Sequence, residues 1–249
     1  MTSELSSLLD MAARGKAAGG DNLAHLDGAA AAINYIRIAD FVASYKPADT
    51  VLDWGCGYGQ VSWLLRRRGL DVVSCDVWDR EQAPSVHAIP ELASQHVDHL
   101  DHPCKLPYQT DRFAAVLSVG VLEHVDNVDA SLEEIKRVLC PSGLFFVFML
   151  PNRYSWAETI ADVRHTSVHP YKFTPRTAMQ LLKHHGFTVK RCWRRNVLPR
   201  NLTGISMKIK AIYGKFYRQV EIVDRVFCAT PLVCLLSGVI EMVAVKDDH

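Results

Sequence analysis

The feature that most constrains this 249-residue chain is the run TVLDWGCGYG at positions 50–59, where a short apolar strand candidate meets three glycines spaced GxGxG. Glycines let a backbone turn sharply and approach a ligand without interference from a Cβ. A helix candidate follows at 60–68 and ends at Gly69, so its free N–H groups point back toward the turn. In an open parallel sheet, such a turn lies where ligands bind, outside the carboxyl ends of the strands.

The rest of the chain supports that sheet. Segments 3–14 and 28–45 read as helices. Strand candidates follow at 50–54, 71–75, 96–100, 113–119, 144–150, 187–197 and 239–246. Helices fall between them at 60–68, 132–139 (closed by Pro141-Ser142-Gly143) and 175–185. The fifth strand, LFFVFML, is almost wholly apolar, as expected of a strand buried on both faces. Strand–helix alternation predicts an α/β fold, a doubly wound, mostly parallel seven-stranded sheet with helices on both faces. The expected organisation is a single domain over 1–249: a helical cap at 1–49, a cofactor-binding core at 50–190 and a helical insertion at 198–235.

Spacing narrows the ligand. A dinucleotide fingerprint is GxGxxG, built around a pyrophosphate. Here the spacing is GxGxG, and Asp53 stands two residues before the first glycine. An acid is poorly placed beside a pyrophosphate but suits a cofactor carrying an ammonium and a sulfonium. Asp76 ends the second strand, 17 residues past Gly59, where a carboxylate can accept both hydroxyls of an unphosphorylated ribose. The plainer alternatives are a ligand-free glycine turn and a strand-end cap.

The segments VLDWGCGYG, SCD, KLPYQTDRFAAVLSVGVLEHV and RVLCPSGLFFVFMLPN together resemble the class I S-adenosylmethionine-dependent methyltransferases, nearest the branch with the ubiquinone-biosynthesis O-methyltransferases. The resemblance covers about residues 50–190 and implies a Rossmann-like fold with S-adenosyl-L-methionine as cofactor. It assigns Gly55 and Gly57 to the methionine part, Asp53 to anchoring the turn and Asp76 to the ribose. Asp98 or Asp101, before Leu106-Pro107, takes the adenine, and Val119 meets the methionine group through its backbone. Arg37 is a further candidate partner for the methionine carboxylate.

Methyl transfer is a direct displacement, so the protein aligns the reactants and supplies a base where the acceptor must lose a proton. Two histidines are candidates: His124, just past the fourth strand, and His169, in a segment resembling the family's substrate lid. Each has an ordinary structural role as its alternative. The ubiquinone-pathway relatives read Glu-x-x-Glu-His around His124 and are associated with a divalent metal. This chain has Gly120 at the first of those positions and keeps Glu123 and His124, so no metal is expected. The cluster His96, His99 and His102 with Asp98, Asp101 and Cys104 lies on a strand candidate, which sends alternate residues to opposite sides. The base-methylating [DN]PP[YF] signature is missing after the fourth strand, and Pro151-Asn152-Arg153-Tyr154 is only superficially similar.

Twenty-eight Lys and Arg against 27 Asp and Glu leave a net charge of +1, which argues against a nucleic-acid partner. That balance conceals an asymmetry, since positions 190–225 hold ten Lys or Arg and only Glu221 and Asp224 as acids. There Ile205, Ile209, Ile212, Phe216, Val220, Val223 and Phe227 recur at helical steps. This stripe either packs on the domain, or caps the acceptor pocket, or rests on an anionic membrane through residues 200–228.

Seven scattered cysteines, none spaced CxxC, suggest reduced thiols. The first 20 residues lack a basic start followed by an apolar run, and 231–245 is too short to span a bilayer. The expected location is therefore cytoplasmic, with peripheral contact at the inner membrane surface as an option. The reading is a methyltransferase acting on an oxygen of a small-molecule acceptor, lipid-like or phosphate-bearing. A cofactor-binding partner or regulatory module without turnover is the alternative.

Overall fold

The computed structural model describes residues 3–19, 26, 28–80, 83–165, 171–200 and 207–248. Helices α1 (Ser3–Ala17) and α2 (Ala29–Ser44) precede β1 (Val51–Trp54), α3 (Gln60–Arg66) and β2 (Val72–Asp76). Two one-turn helices, α4 (Pro84–His87) and α5 (Pro90–Ala93), lead to the two-residue β3 (Asp98–His99). Then come β4 (Phe113–Val119), α6 (Val128–Val138), β5 (Leu139–Pro151), α7 (Trp156–Val163), α8 (Pro175–His184) and β6 (Phe187–Arg195). Helices α9 (Met207–Lys215) and α10 (Tyr217–Ala229) and a 3-10 turn (Val233–Leu236) separate β6 from β7 (Val239–Lys246).

The strands form one seven-stranded sheet in the order β3-β2-β1-β4-β5-β7-β6. Only β7 runs antiparallel to its neighbours. The chain winds outward from β1 to β3 and then returns to β4 on the other side of β1. Strand order therefore reverses between β1 and β4, where a crevice opens at the strand ends. This is the Rossmann-like, doubly wound fold expected from the sequence.

Strand periodicity explains how β5 stabilises both sides. Phe146 and Phe148 point to one face, into a core shared with Leu64 of α3 and Ile38 and Val42 of α2. Phe145 and Val147 point to the other, among Leu132 and Ile135 of α6 and Leu182 of α8. All four are completely buried, each contributing on the order of 2 kcal/mol by transfer from water.

Three local expectations change. Helix α6 begins at Val128, not 132, because Asn127 caps it by accepting the Ala130 amide at 3.0 Å. Strand β5 begins at Leu139, so the Pro141–Gly143 turn becomes a bulge between the pairs Phe113–Leu139 and Ala115–Leu144. The span read as a loop after β5 contains α7, capped by Ser155, which accepts the Glu158 amide.

The insertion departs furthest. It is two helices, and its apolar stripe does not pack on the sheet: Ile209, Ile212, Phe216 and Val223 are 51%, 61%, 45% and 41% exposed. Ile205 lies outside the described residues. The inward face is chosen by the two acids. Asp224, fully buried, pairs with Arg200 at 2.9 Å and accepts the Leu198 amide at 2.8 Å. Glu221 pairs with Arg195 at 2.7 Å and Arg200 at 2.6 Å. Satisfying those charges outweighs burying the stripe, because a carboxylate left unpaired in the interior is far costlier than an exposed isoleucine.

Candidate active site

The glycine turn and Asp76 form one unit. Gly55 adopts φ +69°, and a Cβ there would fall 2.6 Å from Val121 Cγ2, so only glycine fits beneath that side chain. The Gly57 amide donates to Asp76 Oδ2 at 2.7 Å, and the Trp78 amide donates to Oδ1 at 2.9 Å. A carboxylate has about four acceptor positions, so each Asp76 oxygen keeps capacity for a further donor.

Above this unit lies a cavity of about 410 Å3 lined by Trp54, Gly55, Asp76, Val77, Leu100, Gly120, Val121 and His124, among others. It occupies the switch point between β1 and β4. Glycine backbone, the carboxylates of Asp76 and Asp126 and apolar walls suit a ligand with a ribose and a flat base, and S-adenosylmethionine carries both. Val119, the last residue of β4, is half-buried and pairs with Phe148. Gly120, directly after it, lines the cavity in a left-handed conformation, φ +70°.

Asp53 sits below the turn rather than in the cavity. It is 1% exposed and accepts Ser62 Oγ at 2.5 Å, and Ser62 in turn accepts Ser74 Oγ at 2.8 Å. Burial pushes its carboxyl up to about 6, with the Ser62 hydrogen bond opposing and the Asp76 charge adding. Its position matches that of an anchor fixing α3 to β1, not of a direct partner for an ammonium.

The two candidate adenine acids separate from this cavity. Asp98 accepts Tyr108 Oη at 2.7 Å and pairs with His96 at 2.8 Å, and it faces a different cavity at the β3 edge of the sheet. Asp101 is exposed, one residue past the cavity-lining Leu100. His124 lines the cavity with an exposed side chain, its backbone amide bonded to the Val121 carbonyl at 2.8 Å. His169 lies outside the described residues. Arg37 is turned away from the cavity and pairs with the buried Glu241 of β7. Among the described residues, no three His, Cys, Asp or Glu side chains gather as metal ligands.

Val121 was not singled out from the sequence, because nothing in its spacing announces that it closes over Gly55. Asn152, dismissed as part of a false motif, is fully buried and donates to the carbonyls of Leu235 and Ser237 at 2.9 and 2.8 Å. It pins the segment before β7 to the carboxyl end of β5.

Residues 25–191 match the family model described as a methyltransferase domain. The chain belongs to the methyltransferase domain family. The matched residues contain the glycine turn, Asp76 and the crevice, so family and Rossmann-like fold together describe a class I, S-adenosylmethionine-dependent methyltransferase domain. Over 117 residues it is 34% identical to the ubiquinone biosynthesis O-methyltransferase of Parvibaculum lavamentivorans, covering 45% of this chain and 44% of that protein. Over 118 residues it is 27% identical to a human protein named probable tRNA methyltransferase 9B, covering 45% of this chain and 24% of that one. The chain thus spans less than half the length of either relative. In fold it is similar to Burkholderia thailandensis 1,6-didemethyltoxoflavin-N1-methyltransferase, solved with S-adenosylhomocysteine, at a TM-score of 0.54 and 21% identity, covering 98% of this chain and 89% of that one.

Proposed function

We propose that this methyltransferase moves the methyl group of S-adenosylmethionine onto an oxygen of a small, lipid-like acceptor. The observation that carries the reading is that His124 borders the same cavity as Gly55 and Asp76, leaving a base candidate beside the donor pocket. When bound, the cofactor supplies an electrophilic methyl on a positively charged sulfur. Asp76 holds the ribose and the turn together. Gly55 leaves backbone open to the methionine part, with Val119 meeting it from the end of β4. His124 accepts the proton of an acceptor hydroxyl as its oxygen becomes nucleophilic. His169, from the sequence alone, is a second candidate contact. Asp101 is better placed than Asp98 to reach the base, because it follows the cavity-lining Leu100 whereas Asp98 faces the separate cavity at the β3 edge.

Partial identity to an O-methyltransferase supports the oxygen acceptor. A net charge of +1 weighs against a tRNA acceptor, which would favour a broad basic face.

The lipid-like class rests on the exposed apolar groups around the insertion. Asn152 holds the 3-10 turn at the carboxyl end of the sheet, where Leu232, Leu235 and Leu236 are 79%, 40% and 47% exposed. Trp156 Nε1 donates to the Val197 carbonyl at 2.7 Å, which ties α7, with Ile160 and Val163 exposed, to the same end. Both acids of α10 face inward, while Lys215, Arg218 and Arg225 are exposed outward. An apolar surface edged by cations suits an anionic bilayer surface. No helix among the described residues is long and apolar enough to cross a membrane.

The test is a methyl-transfer screen with labelled cofactor on phenolic and quinol-like acceptors, beside sedimentation with phosphatidylglycerol vesicles. Turnover on a hydroxyl acceptor together with vesicle binding supports the reading. Turnover confined to amines or RNA refutes the oxygen acceptor, and equal binding to neutral and anionic vesicles removes the charged docking surface.

A further inference from the structure

A third cavity, sharing no lining residue with the crevice or with the one at the β3 edge, lies between α2, β6 and α10. It encloses roughly 360 Å3 and is lined by Arg37, Arg191, Arg195 and Arg225, with Phe41, Trp193 and Glu221. Four guanidinium groups line one hollow: Arg37 and Arg195 are half-buried and need carboxylate partners, while Arg191 and Arg225 are exposed and face solvent at its rim.

The protein's own carboxylates compensate only part of this charge. Arg37 is taken by the buried Glu241, which also accepts Trp193 Nε1 at 2.8 Å. Glu221 serves Arg195 at 2.7 Å and Arg200 at 2.6 Å, and Arg200 also takes Asp224. Arg225 reaches Glu221 only at 3.7 Å and is 68% exposed. Arg191 has no carboxylate partner among the described residues; it lies 5.5 Å from the Phe41 ring centre and 5.0 Å from that of Trp193. Five guanidinium groups thus meet three carboxylates, leaving two positive charges in excess. Arg195 Nε is also buried with no hydrogen-bond partner among the described residues.

The chemistry of the walls identifies the ligand class. Arginine presents a planar fork of donors that matches phosphate oxygens. Its stacking on Phe41 and Trp193 holds the Arg191 fork in place before any ligand arrives. The aromatic groups also offer an apolar floor for whatever carries the phosphate. The excess positive charge matches a phosphate anion, a monoester dianion most fully and a diester monoanion in part.

We propose that this cavity is a binding site for a phosphate group carried on an apolar or aromatic body, separate from the methyl-transfer crevice and not dependent on it. The phosphate is either that of a soluble phosphomonoester or that of a lipid headgroup met by the adjoining α10.

The experiment is calorimetric titration with phenyl phosphate, with benzyl alcohol as neutral control, beside flotation with phosphatidylglycerol and phosphatidylcholine vesicles. The proteins are wild type, Arg225→Gln, and the double variant Arg191→Gln/Arg225→Gln. S-Adenosylhomocysteine affinity, measured in parallel, shows that each variant is folded and reports the crevice independently. Phenyl phosphate binding that weakens at least tenfold in the double variant, with benzyl alcohol inert, supports the site with a soluble ligand. Loss of phosphatidylglycerol flotation alone in the double variant supports it with a headgroup. The exposed Arg225→Gln, which breaks no buried pair, should show the same loss in part. Absence of both phenyl phosphate and anionic-vesicle binding, or binding unchanged by both variants, overturns the proposal.

Discussion

Asp76 accepts the Gly57 amide at 2.7 Å, so the acid at the end of β2 and the glycine turn after β1 are a single structural unit. A ligand bound by one is felt by the other. Any change at Asp76 alters the turn as well as a ribose contact.

The pH dependence of stability should carry the signature of Asp53. Its carboxyl is raised by burial to about 6, from 3.8 in the unfolded chain. The folded protein therefore holds the proton more tightly than the unfolded one. The resulting contribution is fully present below pH 4 and is lost as pH rises through 6, on the order of 3 kcal/mol in all. Asp53→Asn removes that titration while keeping an acceptor for Ser62. Chemical denaturation of both proteins from pH 4 to 7 should show wild type losing stability relative to the variant over this window. Parallel curves would contradict the assignment.

Arg37 should matter for folding more than for cofactor binding. Its removal strands Glu241, fully buried, with Trp193 Nε1 as its remaining polar partner among the described residues. Arg37→Met is expected to cost roughly 3–5 kcal/mol, and Arg37→Met/Glu241→Gln to recover much of it. Urea unfolding of the single and double variants checks this. A single variant as stable as wild type would show that the pair carries no weight.

His124 should affect turnover and leave donor binding alone. It borders the crevice with an exposed side chain. His124→Ala is expected to lower kcat about 100-fold or more on a hydroxyl acceptor, with S-adenosylhomocysteine affinity within twofold of wild type. Unchanged kcat would mean that the acceptor loses its proton elsewhere.

Much of this was legible from residues alone because the signals are local. The bounds of β4 and β7 follow from apolar runs between turn residues, and the glycine spacing places the turn at the switch point. The misplaced features depend on contacts distant in sequence. The outward apolar face of α10 is set by Arg195 and Arg200, which claim Glu221 and Asp224 from the far side of the insertion. Asp98 reads as an adenine partner, and its hydrogen bond from Tyr108, ten residues on, is a contact the sequence does not announce. Arg37 similarly looks available until β7 brings Glu241 to it, 204 residues later. Periodicity reports which side chains share a face, but not which charge on another element will claim that face.

The most direct test of the central claim is calorimetric titration of S-adenosylhomocysteine into wild type, Asp76→Asn and Asp76→Ala, with NAD as the competing cofactor. The account predicts that wild type binds S-adenosylhomocysteine and not NAD. It also predicts that Asp76→Ala weakens binding at least tenfold, about 1.4 kcal/mol or more, and that Asp76→Asn falls between the two. Folded wild type that binds NAD in preference, or Asp76→Ala that binds S-adenosylhomocysteine as tightly as wild type, would contradict it.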